Sequence, residues 1–246
     1  MDSQDGTSPI DLVLLPGLDG TGRLFAPFVR KLPASIVPHV IPYPAGERLG
    51  YDDLVEYVTA RLPTGRRLLI LGESFAGPLA MRIAARKPPG LAGLILCGTF
   101  VRNPHPWIPR WAGAFVFPWQ FRMWPLIWWG RKVLGWGVSG EVQQAMAEAQ
   151  AAAGGAALAH RLREVVRVDA SQDLARVDVP ILILEATRDW IVPIWNGRRI
   201  AREAERRETP AGGPPRQIPF DTGHLILQSR PGRAVEAIEE FVRTLG

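Results

Sequence analysis

The chain has 246 residues, of which 47% are hydrophobic and 22% charged, so it can bury the core of one α/β domain with one insertion and needs no second domain. Its single cysteine, Cys97, cannot form an internal disulfide, no apolar run reaches the length of a membrane-spanning helix, and the polar start over residues 1–10 lacks the pattern of a secretory signal. A reduced, cytoplasmic setting is expected, and although the formal net charge is +5, the scattered basic residues and the lack of a reader motif argue against nucleic-acid binding.

In chain order, "DLVLLPG" (residues 11–17) reads as a buried strand, "HVIPYP" (39–44) as a second and "RRLLILG" (66–72) as a third. "LAGLILCG" (91–98), "VPILILEA" (179–186) and the weaker "PPRQIPF" (214–220) supply three more. Helical patterns fall between them at 52–61, 78–86, 196–207 and, behind Pro231, 232–245. Continuous apolar strands alternating with helices predict a mostly parallel sheet of about six strands with helices on both faces. No internal repeat is present.

One region breaks the rhythm. From Val101 to about Ala170 there is no convincing strand, and an alanine-rich helical stretch runs from about Glu141 to Val168. Seven of the nine tryptophans lie here: Trp107, Trp111, Trp119, Trp124, Trp128, Trp129 and Trp136. Prolines 106, 109, 118 and 125 forbid one long helix, so the first half predicts short helices. The expected division is a core of residues 1–100 and 171–246 with a helical lid at 101–170.

Ser74 sits in "GESFAG", between the third strand and a helix. That position is the carboxyl edge of a parallel sheet, where open α/β proteins place ligands. A turn tight enough to lift the hydroxyl clear of the backbone tolerates only small residues two places before and after, and Gly72 and Ala76 meet that demand. The alternative role is that of a helix N-cap.

A nucleophilic serine needs a base. Of the four histidines, His224 in "PFDTGHLIL" lies in a loop just after the last strand, at the same edge, whereas His39 opens a strand and His105 and His160 fall in the insertion. Asp189, after the fifth strand, is placed to orient the base, its alternatives being an N-cap or an ion pair with Arg188. Glu73 is too near the serine in sequence to face the imidazole, and Asp221 belongs to the histidine's own loop. The glycine-rich "LLPGLDGTGRLF" after the first strand lets backbone amides approach a substrate oxygen, and Leu18 with Phe75 is the expected pair of donors, Asp19 being the alternative to Leu18. Neither the P-loop pattern nor GxGxxG occurs at this turn.

Taken together, "PGLDGTG", "GESFAG", "ATRDWIVP" and "DTGH" resemble the α/β-hydrolase family, in its order serine, acid, histidine, and span nearly the whole chain. Two positions depart from the pattern: the elbow is GxSxA, and Pro16 stands where many relatives carry histidine. The start leaves no room for the two leading strands of larger members, which implies six strands. The resemblance implies a serine carboxylesterase, of the biotin-pathway type among others, with catalytic Ser74, Asp189 and His224, an oxyanion hole of Leu18 and Phe75, and substrate contacts from Gly17, Asp19, Trp107, Trp111, Val192 and Leu225. It implies no metal or organic cofactor. A small ester with an apolar acyl group is the expected substrate. The stretch from Ser74 to Gly140 carries Arg82, Arg86, Lys87, Arg102, Arg110, Arg122, Arg131 and Lys132 but no acid, which suits a transient contact with an anionic membrane surface or an acidic acyl carrier. Acyl transfer to another acceptor, lyase chemistry on the same three residues and a silent ligand-binding role stay open, as does the oligomeric state.

Overall fold

A computed structural model describes residues 9–123, 138–207 and 213–245. Its strands are β1 (Ile10–Leu15), β2 (Ile36–Val40), β3 (Leu68–Glu73), β4 (Leu91–Cys97), β5 (Ile181–Ala186) and β6 (Arg216–Phe220). They form one sheet in the order β2-β1-β3-β4-β5-β6 with every neighbouring pair parallel. The described α-helices are α1 (Ala26–Val29), α2 (Tyr51–Thr59), α3 (Ala76–Ala85), α4 (Gly140–Ala153), α5 (Gly155–Arg167), α6 (Ser171–Arg176), α7 (Trp195–Ala204), α8 (Ile226–Ser229) and α9 (Pro231–Arg243). None of the described helices is long and apolar enough to cross a membrane.

The period of two along each strand divides the core. Val13, Leu15, Ile70, Leu94, Leu96 and Ile183 face α2, α3, α6 and α7, while Leu12, Leu14, Leu69, Leu71, Ile95 and Leu184 face α1, α8 and α9. Helices therefore cover both faces, and β1, β3 and β5 are buried along their whole length. The chain leaves β1 toward β2 on one side and returns to β3 on the other, so the loops that follow β1 and β3 emerge side by side at the carboxyl edge.

Two details differ from the sequence expectation. The second strand lies at 36–40 rather than 39–44, because Pro42 and Pro44 have no N–H to donate; Pro38 is accepted since β2 is an edge strand. The helical stretch predicted over 141–168 is two helices broken at Gly154, whose φ of 77° ends α4. Gly155 follows at a close approach, since a Cβ there would stand 2.6 Å from the Pro118 carbonyl oxygen.

The segment between β4 and β5 begins with two short 3-10 helices, Arg110–Phe115 and Pro118–Arg122, each introduced by a proline as expected, and both pack on α5. Its two ends are fastened together: Arg102 and Asp169 form an antiparallel bridge and an ion pair at 3.3 Å. Trp124, Trp128, Trp129, Trp136, Pro125, Arg131 and Lys132 lie outside the described residues.

Leu182, the second residue of β5 and fully buried, measures the packing of the core beneath α8 and α9. Leu182→Ala is expected to lower the unfolding free energy in a urea titration by about 2 to 5 kcal/mol, the range for emptying a leucine site in a rigid core.

Candidate active site

β3 delivers Ser74 at the sheet's carboxyl edge, and α3 starts two residues later. Ser74 has φ 54°, in the left-handed region that residues with a Cβ seldom enter. The turn is held on both sides: the Ser74 amide donates to the Cys97 carbonyl at 2.9 Å, and the Ser74 carbonyl accepts from the Gly77 amide and the Thr99 hydroxyl. Gly72 is required, since a Cβ there would lie 2.6 Å from the Ala76 carbonyl oxygen and 2.8 Å from the Ala80 Cβ. Ala76 itself is fully buried, so the methyl that GxSxA adds is accommodated in the packing beneath the turn.

The loop after β6 carries His224, which is buried. Its Nε2 accepts the Ser74 hydroxyl proton at an Oγ–Nε2 distance of 2.8 Å, and its Nδ1–H donates to Asp189 Oδ2 at 2.6 Å. Asp189, in the turn after β5, has no side-chain exposure; its other oxygen, Oδ1, accepts the amides of Ile191 and Val192 at 2.8 Å each. One carboxylate thus caps its own turn and selects the imidazole tautomer whose Nε2 can take a proton from Ser74. Three elements far apart in sequence, β3, β5 and β6, bring these residues together because their strands end at one edge. An acid, an imidazole and a hydroxyl in hydrogen-bonded line can generate a nucleophile.

The loop after β1 lies against this line, for a Cβ on Gly17 would be 3.5 Å from the Ser74 Cβ. Gly20 N–H donates to the Gly17 carbonyl at 3.0 Å, closing a turn that directs the Leu18 amide the opposite way from that carbonyl. Phe75 comes where the first N–H groups of α3 have no acceptor within the helix. Two tyrosines brace these segments: Tyr43 donates to the Pro16 carbonyl and Tyr51 to the Phe75 carbonyl, both at 2.9 Å, and Tyr51 stacks on the Phe75 ring at 4.7 Å between centroids.

Residues 50–210, more than half of the chain, match the Hydrolase_4 family, described as serine aminopeptidase, S33. The chain belongs to that family of α/β-hydrolases. Among solved structures it is similar to the enol-lactonase from Burkholderia xenovorans LB400, at 18% identity and TM-score 0.71, covering 98% of this chain and 93% of that one. It is also similar to the esterase EaEST from Exiguobacterium antarcticum, at 14% identity and TM-score 0.74, covering 96% and 93%. A thermophilic esterase from Thermogutta terrifontis gives 23% identity and TM-score 0.69, covering 97% and 90%. At these identities the likeness establishes the α/β-hydrolase fold. No curated protein matches the chain.

Of the other predicted residues, Val192 is buried and supplies an amide to Asp189, and Leu225 packs with Val142 and Met146 of α4 beside Leu24. Asp19 turns its carboxylate onto the Thr21 amide and hydroxyl. Trp107 and Trp111 are 64% and 68% exposed; their ring partners are His105 and Trp195 for the first and Phe115 for the second, rather than any residue of the Ser74 line. Arg188 grips the exposed Asp221 at 2.7 Å, while the Asp189 oxygens receive His224 and the amides of Ile191 and Val192. Sequence reasoning passed over the tyrosines, Thr99, Gln228 and Arg161. Only Arg161 had a legible signal, because it falls on the stripe of Ala157, Leu158 and Val165 that faces inward from α5.

Glu73, next to Ser74, is buried and accepts from Gln228 Nε2 at 3.0 Å. Burial pushes its carboxyl up to about 7, against the lowering effects of the Gln228 bond and of His224. For His224, burial pulls the imidazole down, but the Asp189 charge and hydrogen bond, with Glu73, more than offset it, and the net direction is up. A base must be neutral to accept a proton, so a raised imidazole delays activity to higher pH. The acid limb of kcat/KM is expected to have its inflection above 6.5, the ordinary histidine value, and to move to lower pH in Glu73→Gln, which removes a negative neighbour. A pH–rate profile of both proteins checks this; an unmoved limb would clear Glu73 of any influence on the base.

Proposed function

We propose that the chain hydrolyses carboxylic esters with a small to medium apolar acyl group through an acyl-serine intermediate. The observation that carries this reading is the unbroken line from Ser74 Oγ to His224 Nε2 at 2.8 Å and from His224 Nδ1 to Asp189 Oδ2 at 2.6 Å. In this mechanism His224 takes the Ser74 proton as Oγ attacks the ester carbonyl carbon. The charge that gathers on the carbonyl oxygen is met by the amides of Leu18 and Phe75. The imidazolium, held by Asp189, returns its proton to the departing alkoxide. Water then attacks the acyl-serine with His224 again as base, and the carboxylic acid leaves.

An apolar acyl group is supported by what stands beside the base. Leu225, the residue after His224, packs with Val142 and Met146 of α4, and Leu24 and Val138 join them. The insertion over 101–170 would then act as a lid, each buried CH₂ contributing up to about 0.8 kcal/mol of binding. Two of the similar structures carry the name esterase, which agrees with this reading.

Ser74→Ala is expected to abolish turnover of p-nitrophenyl esters while circular dichroism stays unchanged. Residual activity within about tenfold of the parent, a barrier change of about 1.4 kcal/mol, contradicts the nucleophile. Asp189→Asn should fold and lose about 10⁴ in kcat, through the wrong imidazole tautomer. In a panel of esters graded by acyl length set beside aminoacyl p-nitroanilides, kcat/KM should rise over the first few acyl carbons; turnover of the anilides alone would sink the ester assignment.

A further inference from the structure

Arg161 lies in the middle of α5 and is only 1% exposed, yet it makes no ion pair among the described residues. Burying a guanidinium without a carboxylate is costly, and an apolar side chain on the same stripe would usually pack at least as well. Its hydrogen bonds say what it does there. Nη1 donates to the carbonyls of both Leu18 and Asp19, each at 2.9 Å. The guanidinium carbon sits 5.1 Å from the centre of the Tyr43 ring, whose hydroxyl holds the preceding carbonyl, that of Pro16. Gly20 leaves room for this approach: a Cβ there would collide with Nη1 and come within 2.7 Å of Tyr43 Cδ2. Nε is buried without a hydrogen-bond partner among the described residues, so the two backbone carbonyls, together with Tyr43 and the Asp19 charge, compensate the buried cation.

The turn after β1 is therefore held from two directions. Gly20 N–H closes it from within onto the Gly17 carbonyl, and Arg161 holds the next two carbonyls from outside. Fixing a carbonyl fixes its whole peptide plane, so these three contacts determine the orientation of the peptides on both sides of Leu18. We infer that Arg161 is a positioning residue for ester cleavage, which from the helical insertion holds the loop after β1 so that the Leu18 amide stays aimed at the developing oxyanion. The inference rests on the acyl-serine reading above. It makes docking of α5 and assembly of the oxyanion site one event, since the same guanidinium serves both.

The test compares the parent with Arg161→Met, which keeps length and bulk, and Arg161→Gln, a neutral side chain that retains one donor group. For each, kcat and KM are measured on a p-nitrophenyl ester, together with Ki for an alkylboronic acid, whose serine adduct places a negative oxygen where the oxyanion forms. Circular dichroism and labelling of Ser74 by a fluorophosphonate report folding and the nucleophile. The expected result for Arg161→Met is a fall in kcat of roughly 30- to 100-fold, a parallel weakening of the boronate, and KM within about threefold of the parent. Arg161→Gln should lose less, and it decides the matter if the methionine variant does not fold. A folded variant with kcat and boronate affinity within about threefold of the parent overturns the assignment, and so does a rise in KM alone, which would make Arg161 a substrate contact. A parent that neither cleaves the ester nor labels at Ser74 overturns the acyl-serine reading itself, and this assignment with it.

Discussion

Ser74 is held at φ 54°, a left-handed backbone that costs a residue with a Cβ about 1 to 2 kcal/mol, and its surroundings are built to keep it there. The Cys97 carbonyl holds its amide, Gly77 and Thr99 hold its carbonyl, and Gly72 lets α3 come down against β3. Behind the turn stand the fully buried residues of β3, packed on both faces, so a one-residue slip would exchange their side chains between two filled cores. Because the turn is fixed by the core, the hydroxyl is fixed too. Every other contact in the site is then a matter of bringing loops to a stationary oxygen.

The carboxylates at this edge are sorted by what each one touches. Asp189 accepts two amides and the imidazole, which spends its lone pairs on the groups that orient the base. Asp221, three residues before His224, is turned outward and bound by Arg188. Glu73 is buried beside Ser74 with Gln228 as its hydrogen-bond donor, and burial raises its carboxyl to about 7. Glu73 and His224 each shift the other's protonation, so the site's response to pH belongs to the pair.

The centre of the sheet was readable because β1, β3, β4 and β5 are continuous apolar runs, whereas the edge strands β2 and β6 mix polar residues and proline, and the elbow was readable because glycine, serine and alanine at that spacing have few other uses. His224 and Asp189 followed from chain order and from their place after strands. What stayed hidden depended on contacts between distant segments. The adjacent Gly154 and Gly155 announce a break in the alanine-rich run, but the approach of Pro118 that accompanies it does not show in the sequence. The tyrosines that hold Pro16 and Phe75 are ordinary core aromatics in sequence. Trp107 and Trp111 pointed to substrate by composition alone, but their burial is decided by α5 and α7, and both remain largely exposed. Arg161 was detectable as a cation on an apolar stripe, although its partners, two backbone carbonyls 142 and 143 residues away, were not.

In the proposed reaction the Ser74 oxygen carries the acyl group between two half-reactions. Rapid mixing of the protein with excess p-nitrophenyl ester, read at milliseconds and quenched in acid for intact mass and peptide mapping, tests it most directly. The expected result is a burst approaching one equivalent of p-nitrophenol per chain wherever deacylation is the slower half-reaction, with the matching acyl mass on the peptide that contains Ser74. Steady turnover with the acyl group mapped to any other residue would contradict it.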